Sequence, residues 1–400
     1  MSEQSLLIRN AAVPTTALAS GAGAHAQAAT AYQLVDISIE RGRIVSVAPA
    51  VHGVTVSPDE TTLDASGHTV LPGFIDVHVH GGAGHDTMDA TPEALAGMAT
   101  FVLQHGVTAF LPTTITAPHD QIRRAVANVA PIADQAVGAR ILGLHIEGPY
   151  ISLHYPGAQP SDYIRKPNIE EFLDLVQAGP VRMMTFAPEV EGAAALLATA
   201  LQHGVVAVWG HTDATYEECV AAATQGFTQA THTYNAMSGL HHRRPGVLGA
   251  TLTIDPVYAQ LIADNIHVHP AAMQVLARCK GVERTILITD AMRAAGLADG
   301  TYDLGGQQVT VAEGACRLAD GTLAGSILTM DRALRNFLAA TDLSLAEAWP
   351  VTSRTPAQSL GLADQFGSVA AGYCGDLVVL DSALDVIATI VGGNSFPVAA

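Results

Sequence analysis

Eight apolar runs with β-strand character alternate with helical patterns through the middle of this 400-residue chain. Several helical patterns begin with capping residues, as at Thr91-Pro92-Glu93. Strands that alternate with helices form parallel βαβ units, and eight such units over roughly 270 residues predict a (β/α)8 TIM barrel. The runs are 71–78, 107–114, 140–146, 181–186, 205–210, 226–231, 258–263 and 284–289, and the helical patterns include 92–105, 118–137, 190–203, 215–225 and 269–280.

Both ends of the chain carry a different β pattern. Residues 34–47 alternate apolar and polar side chains around Arg41-Gly42, which predicts a hairpin. Residues 366–392 contain short β-branched runs separated by glycine and aspartate. Residues 300–323 also have β character, and we expect them to pair with the strands of the chain ends rather than with the barrel.

The composition excludes several classes of protein. Hydrophobic residues make up 49% and charged residues 14%, which argues against a disordered chain. Acidic residues outnumber basic ones by 37 to 19, so the chain lacks the basic character of a nucleic-acid binder. Four scattered cysteines form no CxxC pair, so neither a disulfide framework nor a zinc ribbon is indicated.

The sequence predicts neither a membrane span nor a secretion signal. No apolar run approaches the ~18–20 residues of a transmembrane helix. Residues 17–30 resemble a signal-peptidase site, but Arg9, Asn10 and Pro14 interrupt the region where an apolar segment would lie. We therefore interpret residues 17–30 as a loop and expect a cytoplasmic protein.

Two histidines, His78 and His80, stand at the end of the first predicted barrel strand, in the run LPGFIDVHVH. Residues i and i+2 of a strand point to the same side, so both imidazoles can face one metal ion at the mouth of the barrel. Histidine is a common zinc ligand, although a pair of this kind also occurs as ordinary surface residues.

Four more ligand-type residues close predicted barrel strands, and they strengthen the metal interpretation. Active sites of TIM barrels lie at the carboxyl ends of the strands, and here five of eight strands end in such residues. The four residues are Glu147, His211, His232 and Asp290.

The chain has only two lysines, Lys166 and Lys280, and neither lies on a predicted strand. A carboxylated lysine on the fourth strand, which bridges two metals in many TIM-barrel hydrolases, is therefore excluded. Glu147 on the third strand is the carboxylate available to bridge two ions.

These motifs together resemble the N-acetylglucosamine-6-phosphate deacetylases of the amidohydrolase superfamily. The resemblance covers roughly residues 34–395 and includes HIEGPY, GHTDAT, THTYNAMSGLHHRRPG, ITDAM and GTLAGS. It implies a TIM barrel, over 69–349, with a small β-sandwich domain from both chain ends, over 1–68 and 350–400. It also implies a homodimer that hydrolyses the acetamide of N-acetylglucosamine 6-phosphate in amino-sugar catabolism.

The resemblance also implies roles for individual residues. Glu147, His211 and His232 match the shared ligands of a divalent metal, and His78 and His80 match the extra pair of two-metal members. One or two ions per chain follow, with zinc the first expectation and iron, manganese or cobalt as alternatives. Asp290 matches the catalytic aspartate, and the substrate-binding positions match Ala158, Gln159, Asn235, Ala236, Arg243 and His267.

One departure concerns Gln159, which stands where some members carry a histidine that touches the substrate. Glutamine can donate a hydrogen bond but cannot carry the charge of a proton. His154 and His85 match no role in the resemblance and are interpreted as ordinary loop residues.

Three alternatives stay open. The substrate can be the C4 epimer, N-acetylgalactosamine 6-phosphate. The reaction can be another amidohydrolase reaction, such as deamination, although the anion-binding residues argue against it. A non-catalytic metal-binding protein would not need a proton-transfer group such as Asp290.

Overall fold

The computed structural model describes residues 5–18, 31–51, 61–133 and 138–398. Strands β2 (Tyr32–Glu40) and β3 (Arg43–Pro49) form the predicted hairpin, and its turn residues Arg41 and Gly42 have φ values of 50° and 80°. Positive φ at both central residues is the requirement of the tight turn that matches strand twist. Of the predicted loop over 17–30, residues 19–30 lie outside the described residues. The first five strands are β1 (Ser5–Pro14), β2 (Tyr32–Glu40), β3 (Arg43–Pro49), β4 (Thr61–Asp64) and β5 (Thr69–Pro72).

The predicted barrel is confirmed. Eight parallel strands pair in chain order, and their residues are almost all buried. The last strand returns to the first through a hydrogen bond from the Asp290 N–H to the His78 carbonyl, at 2.9 Å. The barrel strands are β6 (Phe74–Val79), β9 (Val107–Thr114), β11 (Leu144–Glu147), β12 (Val181–Phe186), β13 (Val206–Trp209), β14 (Phe227–Ala230), β15 (Tyr258–Ile262) and β16 (Thr285–Ile288). Three short strands accompany them: β7 (Gly81–Gly82), β8 (His85–Asp86) and β10 (Arg140–Ile141).

Helices follow the barrel strands at the predicted places. The first begins at its predicted cap, where the Thr91 hydroxyl accepts from the Ala94 N–H. None of the helices within the described ranges is long and apolar enough to cross a membrane. The helices are α1 (Pro92–Leu103), α2 (His119–Ala133), α3 (Ile169–Ala178), α4 (Ala193–Gln202), α5 (Tyr216–Gln225), α6 (Gly246–Thr253), α7 (Pro270–Lys280), α8 (Met330–Ala340), α9 (Leu345–Ala348) and α10 (Arg354–Ser359).

The segment 300–323 was predicted to pair with the strands of the chain ends, and this prediction is wrong. Within the described residues, its strands pair only with one another, in a separate three-stranded sheet formed by β17 (Gly300–Leu304), β18 (Gln307–Ala312) and β19 (Ala315–Arg317). Apolar side chains of this sheet pack in a small core with Ile115 and Met292, which follow β9 and β16. The sheet therefore covers the carboxyl ends of the barrel strands.

Strands from both ends of the chain form one eight-stranded sheet, as predicted. Its last strands are β20 (Leu377–Leu380), β21 (Val386–Val391) and β22 (Asn394–Pro397). Strand β5, which lies within the predicted barrel range 69–349, joins the two halves of this sheet because it pairs with both β1 and β20. The sheet is fixed to the barrel by a two-point ion pair between Arg140 and the buried Asp376, at 2.7 and 3.2 Å.

Candidate metal centre and active site

The carboxyl ends of the barrel strands surround one cavity of about 340 Å³. This volume lies within the range of roughly 300–1,000 Å³ that is usual for small-molecule sites. Ten of the twelve residues predicted for the site line the cavity wall, and His78 is fully buried beside Glu147 and Asp290. The lining members of the predicted set are His80, Glu147, Ala158, Gln159, His211, His232, Asn235, Ala236, His267 and Asp290.

One group of ligand-type atoms combines Glu147, His211 and His232. The Glu147 Oε1 atom lies 3.3 Å from His211 Nε2 and 3.1 Å from His232 Nε2. The two Nε2 atoms are 3.0 Å apart, and all three residues are buried. A carboxylate oxygen and two imidazole nitrogens that converge in this way suit a divalent transition metal.

A second group shares the same carboxylate. His80 Nε2 lies 3.3 Å from Glu147 Oε2 and 3.2 Å from Asp290 Oδ1. His78 Nε2 is 3.5 Å from Glu147 Oε1 and 3.5 Å from Asp290 Oδ1. The two groups therefore meet at Glu147. We call the five residues of the two groups together with Asp290 the metal floor.

Hydrogen bonds behind the histidines orient their rings toward this common point. His211 Nδ1 donates to the Tyr155 carbonyl at 3.0 Å, and His80 Nδ1 donates to the Thr113 carbonyl at 3.2 Å. Because a carbonyl only accepts, Nδ1 carries the proton in both rings and Nε2 presents a lone pair to the cavity. This is the arrangement that metal-binding histidines adopt, so these residues fit a metal.

His78 is oriented by two buried polar residues that sequence reasoning missed, Thr231 and Gln260. The Thr231 hydroxyl donates to Gln260 Oε1 at 3.1 Å, so its oxygen can accept from His78 Nδ1, which lies 3.1 Å away. His232 differs, because its buried Nδ1 has no hydrogen-bond partner within the described part of the chain. The only sequence signal for this support is a glutamine inside the apolar strand YAQLI.

Two further histidines near the site were also missed. His145 is fully buried, stacks edge-on against His78, and contacts Thr185 Oγ1 at 2.8 Å. Burial and the neighbouring His78 hold the pKa of His145 well below its usual range, so it stays neutral. His154, interpreted from the sequence as an ordinary loop residue, lines the cavity mouth.

The electrostatics of the metal floor favour a bound positive charge. Burial raises the pKa of Asp290, but His78 and His80 oppose it and lower that pKa to about 2. The pKa of Glu147 lies well below its usual range, because the histidines around it outweigh its burial. Burial lowers the pKa of His80, yet Asp290 and Glu147 raise it well above its usual range. Two ionised carboxylates thus attract either a proton or a metal cation.

The backbone at three of these strand ends is left-handed. His211, His232 and Asp290 have φ values of 49°, 23° and 49°. This conformation is uncommon for residues other than glycine, and it re-aims each side chain after the strand has ended.

The predicted phosphate-binding residues are only partly brought together. We call Asn235, Ala236 and His267, which line the cavity, the anion side. His267 Nδ1 bonds the buried Asp264 carboxylate at 2.6 Å. Arg243, in contrast, is exposed, donates to His242 Nε2 at 2.8 Å, and does not line the cavity of this single chain.

Neither lysine approaches the metal floor, as the sequence predicts. Lys166 pairs with Glu191 on the surface. Lys280 donates to the Ile254 carbonyl at 2.8 Å. The group that both histidine pairs share is the Glu147 carboxylate, and no carboxylated lysine takes that place.

Residues 69–396 match the model of the amidohydrolase family, and the chain belongs to that family. Within it, the chain is 41% identical to the N-acetylglucosamine-6-phosphate deacetylase of Lysinibacillus sphaericus, over 90% of this chain and 92% of the relative. It is also 41% identical to the N-acetylgalactosamine-6-phosphate deacetylase of Escherichia coli O157:H7, over 85% and 90%. A structure of the Mycobacterium smegmatis N-acetyl-D-glucosamine-6-phosphate deacetylase, a variant in complex with N-acetyl-D-glucosamine-6-phosphate, superposes with a TM-score of 0.87 at 34% identity. That match covers 98% of this chain and 99% of the other.

Proposed function

We propose that this protein removes the acetyl group from N-acetyl-D-glucosamine 6-phosphate, giving D-glucosamine 6-phosphate and acetate. The observation that carries the proposal is the metal floor, in which two histidine pairs converge on Glu147 and Asp290 faces one of those pairs. The similarity to deacetylases of phosphorylated amino sugars over most of the chain supports this substrate class.

We assign the metal ligands to Glu147, His211 and His232, with a second position formed by His78, His80, Glu147 and Asp290. A divalent ion held by these residues, with zinc the first expectation and iron, manganese or cobalt as alternatives, would polarise the amide carbonyl and make water more acidic. Oriented imidazole nitrogens and a shared carboxylate support one or two ions per chain.

Asp290 is the proposed general base and acid. Its carboxylate lies at the metal floor and its low pKa keeps it ionised at neutral pH, so it can take a proton from water. The water oxygen bonds to the acetyl carbonyl carbon. Asp290 then returns the proton to the sugar nitrogen as the carbon–nitrogen bond breaks, which releases acetate and the free amine.

The phosphate group is proposed to bind at the anion side. Asn235, Ala236 and His267 line the cavity, and Arg243 is exposed nearby in sequence. Arginine suits phosphate because its planar fork matches two oxygens. We further propose a homodimer, which the family resemblance implies, and a cytoplasmic location, which rests on the absence of a secretion-signal pattern in residues 1–30.

Acetate release from three sugars tests the function. We expect turnover of N-acetylglucosamine 6-phosphate, and little turnover of unphosphorylated N-acetylglucosamine because the phosphate contacts orient the acetamide. A higher kcat/KM for N-acetylgalactosamine 6-phosphate would favour the second candidate, which the similarity to the Escherichia coli relative supports. No acetate from any phosphorylated sugar, with metal bound, would refute the proposal.

A further inference from the structure

The side-chain amide of Gln159 contacts the carboxylate that both histidine groups share. Its Nε2 donates to Glu147 Oε2 at 2.7 Å, and its Oε1 accepts from the Thr116 backbone N–H at 2.7 Å. Because a backbone N–H only donates, this second bond fixes which end of the amide is oxygen, and Gln159 must present N–H to Glu147. Gln159 is 6% exposed and Glu147 is 2% exposed, so water competes little for the bond.

This bond determines how the Glu147 carboxylate is turned. Oε1 faces the nitrogens of His211 and His232 at 3.3 and 3.1 Å. Oε2 faces His80 Nε2 at 3.3 Å and also accepts from Gln159. A rotation of the carboxylate about its terminal bond would move an oxygen away from one of the two groups, and the Gln159 bond opposes that rotation.

The segment that carries Gln159 is itself held in place. The Gln159 backbone N–H donates to the Pro156 carbonyl at 2.9 Å. The Ala158 carbonyl accepts from Gln307 Nε2 of strand β18 at 2.6 Å. The amide therefore approaches Glu147 from a fixed position between Thr116, which follows strand β9, and the three-stranded sheet.

We propose that Gln159 is a positioning residue, which holds Glu147 so that each of its oxygens serves one of the two histidine groups. This role takes the place of the direct substrate contact that the resemblance implies for Gln159. The proposal rests on the metal site of the proposed function.

Metal affinity in the absence of substrate tests the proposal. Gln159→Met keeps the length of the side chain but removes its donor and its acceptor. We expect the affinity for Zn²⁺, measured by competition with a chromophoric chelator, to fall about 10- to 100-fold, the usual cost of losing a residue that orients a metal ligand. Gln104→Met, the same change at an exposed helix end, should leave the affinity unchanged.

Two further measurements separate positioning from other roles. Gln159→Leu should weaken Zn²⁺ binding to the same extent, and the unfolding temperatures of both metal-free variants should stay close to that of the wild type. With Zn²⁺ at saturation, KM for the phosphorylated sugar should return to near the wild-type value. A raised KM with unchanged Zn²⁺ affinity would overturn the proposal and restore the direct substrate contact.

Failure of the proposed function would look different. A wild-type protein that binds Zn²⁺ but releases no acetate refutes the deacetylase proposal, while the Zn²⁺ titration of Gln159→Met still decides the positioning role. Zn²⁺ affinity of a folded Gln159→Met or Gln159→Leu variant within about twofold of the wild type refutes the positioning role, against the 10- to 100-fold loss expected.

Discussion

The metal floor and the anion side of the same cavity are built in different ways. Glu147 and the four histidines of the floor are buried, and three of those rings are oriented by hydrogen bonds to other groups of the same chain. On the anion side, His267 is held by Asp264, but Arg243 is exposed and lies outside the cavity. The floor is thus organised within one chain, whereas Arg243, the arginine expected to bind phosphate, does not reach the cavity of the single chain.

Removal of the floor histidines is the largest expected effect. The double change His211→Ala with His232→Ala leaves Glu147 as the only remaining ligand of the first group. We therefore expect loss of metal at that group and activity below about 1% of wild type, since water then keeps its ordinary pKa. Metal analysis of the purified protein together with acetate release measures both. His203→Ala, which removes an exposed histidine, serves as the control, and full metal content in the double variant would refute the assignment.

Asp290→Asn tests whether Asp290 of the metal floor transfers the proton from water to the sugar nitrogen. The change keeps the shape of the side chain but removes its basicity, so kcat should fall at least ~10²-fold, the usual scale of general acid–base catalysis. KM should change little because the phosphate contacts lie elsewhere. Metal content must be measured in the same sample, since Asp290 also faces His78 and His80. Near wild-type turnover at full metal content would exclude the proton-transfer role.

Arg243→Ala examines the anion side. Loss of a charge-assisted contact to phosphate costs about 1.5–3 kcal/mol, so kcat/KM should fall roughly ten- to a hundredfold, mainly through KM. Metal content should not change. Arg244→Ala removes the same charge from the same exposed loop and is the matched control. Equal effects of the two variants would indicate that the total positive charge of the loop attracts the phosphate, rather than a direct contact made by Arg243.

His267→Gln should have the smallest effect of the four. Glutamine can still donate one hydrogen bond but loses the ring that Asp264 holds, so we expect KM to rise roughly two- to tenfold, the range for one ordinary hydrogen bond. Steady-state kinetics on the phosphorylated and unphosphorylated sugars measure it. If KM rises equally for both sugars, His267 does not act on the phosphate.

The metal floor could be predicted from the sequence more fully than the contacts that depend on the tertiary fold. The barrel and the residues His78, His80, Glu147, His211 and His232 follow from local patterns, because strand ends in a barrel all meet at one face. The partner of the segment 300–323 could not be predicted, since β alternation identifies a strand but not the strand it pairs with. The contact between Gln159 and Glu147 also depends on the tertiary fold, because it joins a loop to a strand end through a hydrogen bond to Thr116.

The residues that orient His78 leave a weak trace in the sequence. Gln260 interrupts an otherwise apolar barrel strand, and a buried amide at such a place needs hydrogen-bond partners. Its partner Thr231 then orients His78. A polar residue inside a fully buried strand is thus a sign of a supported site, although its target becomes known only from the structure.

The left-handed backbone at His211, His232 and Asp290 has a consequence for protein engineering. Such conformations of residues other than glycine cost on the order of 1–3 kcal/mol each. Since the free energy of unfolding of a protein is itself small, these three strand ends lower the stability of the chain appreciably. Glycine at any of them would relieve the backbone and destroy the chemistry. A thermostability screen that ignores turnover would therefore tend to enrich inactive barrels, and directed evolution of this enzyme needs both selections at every round.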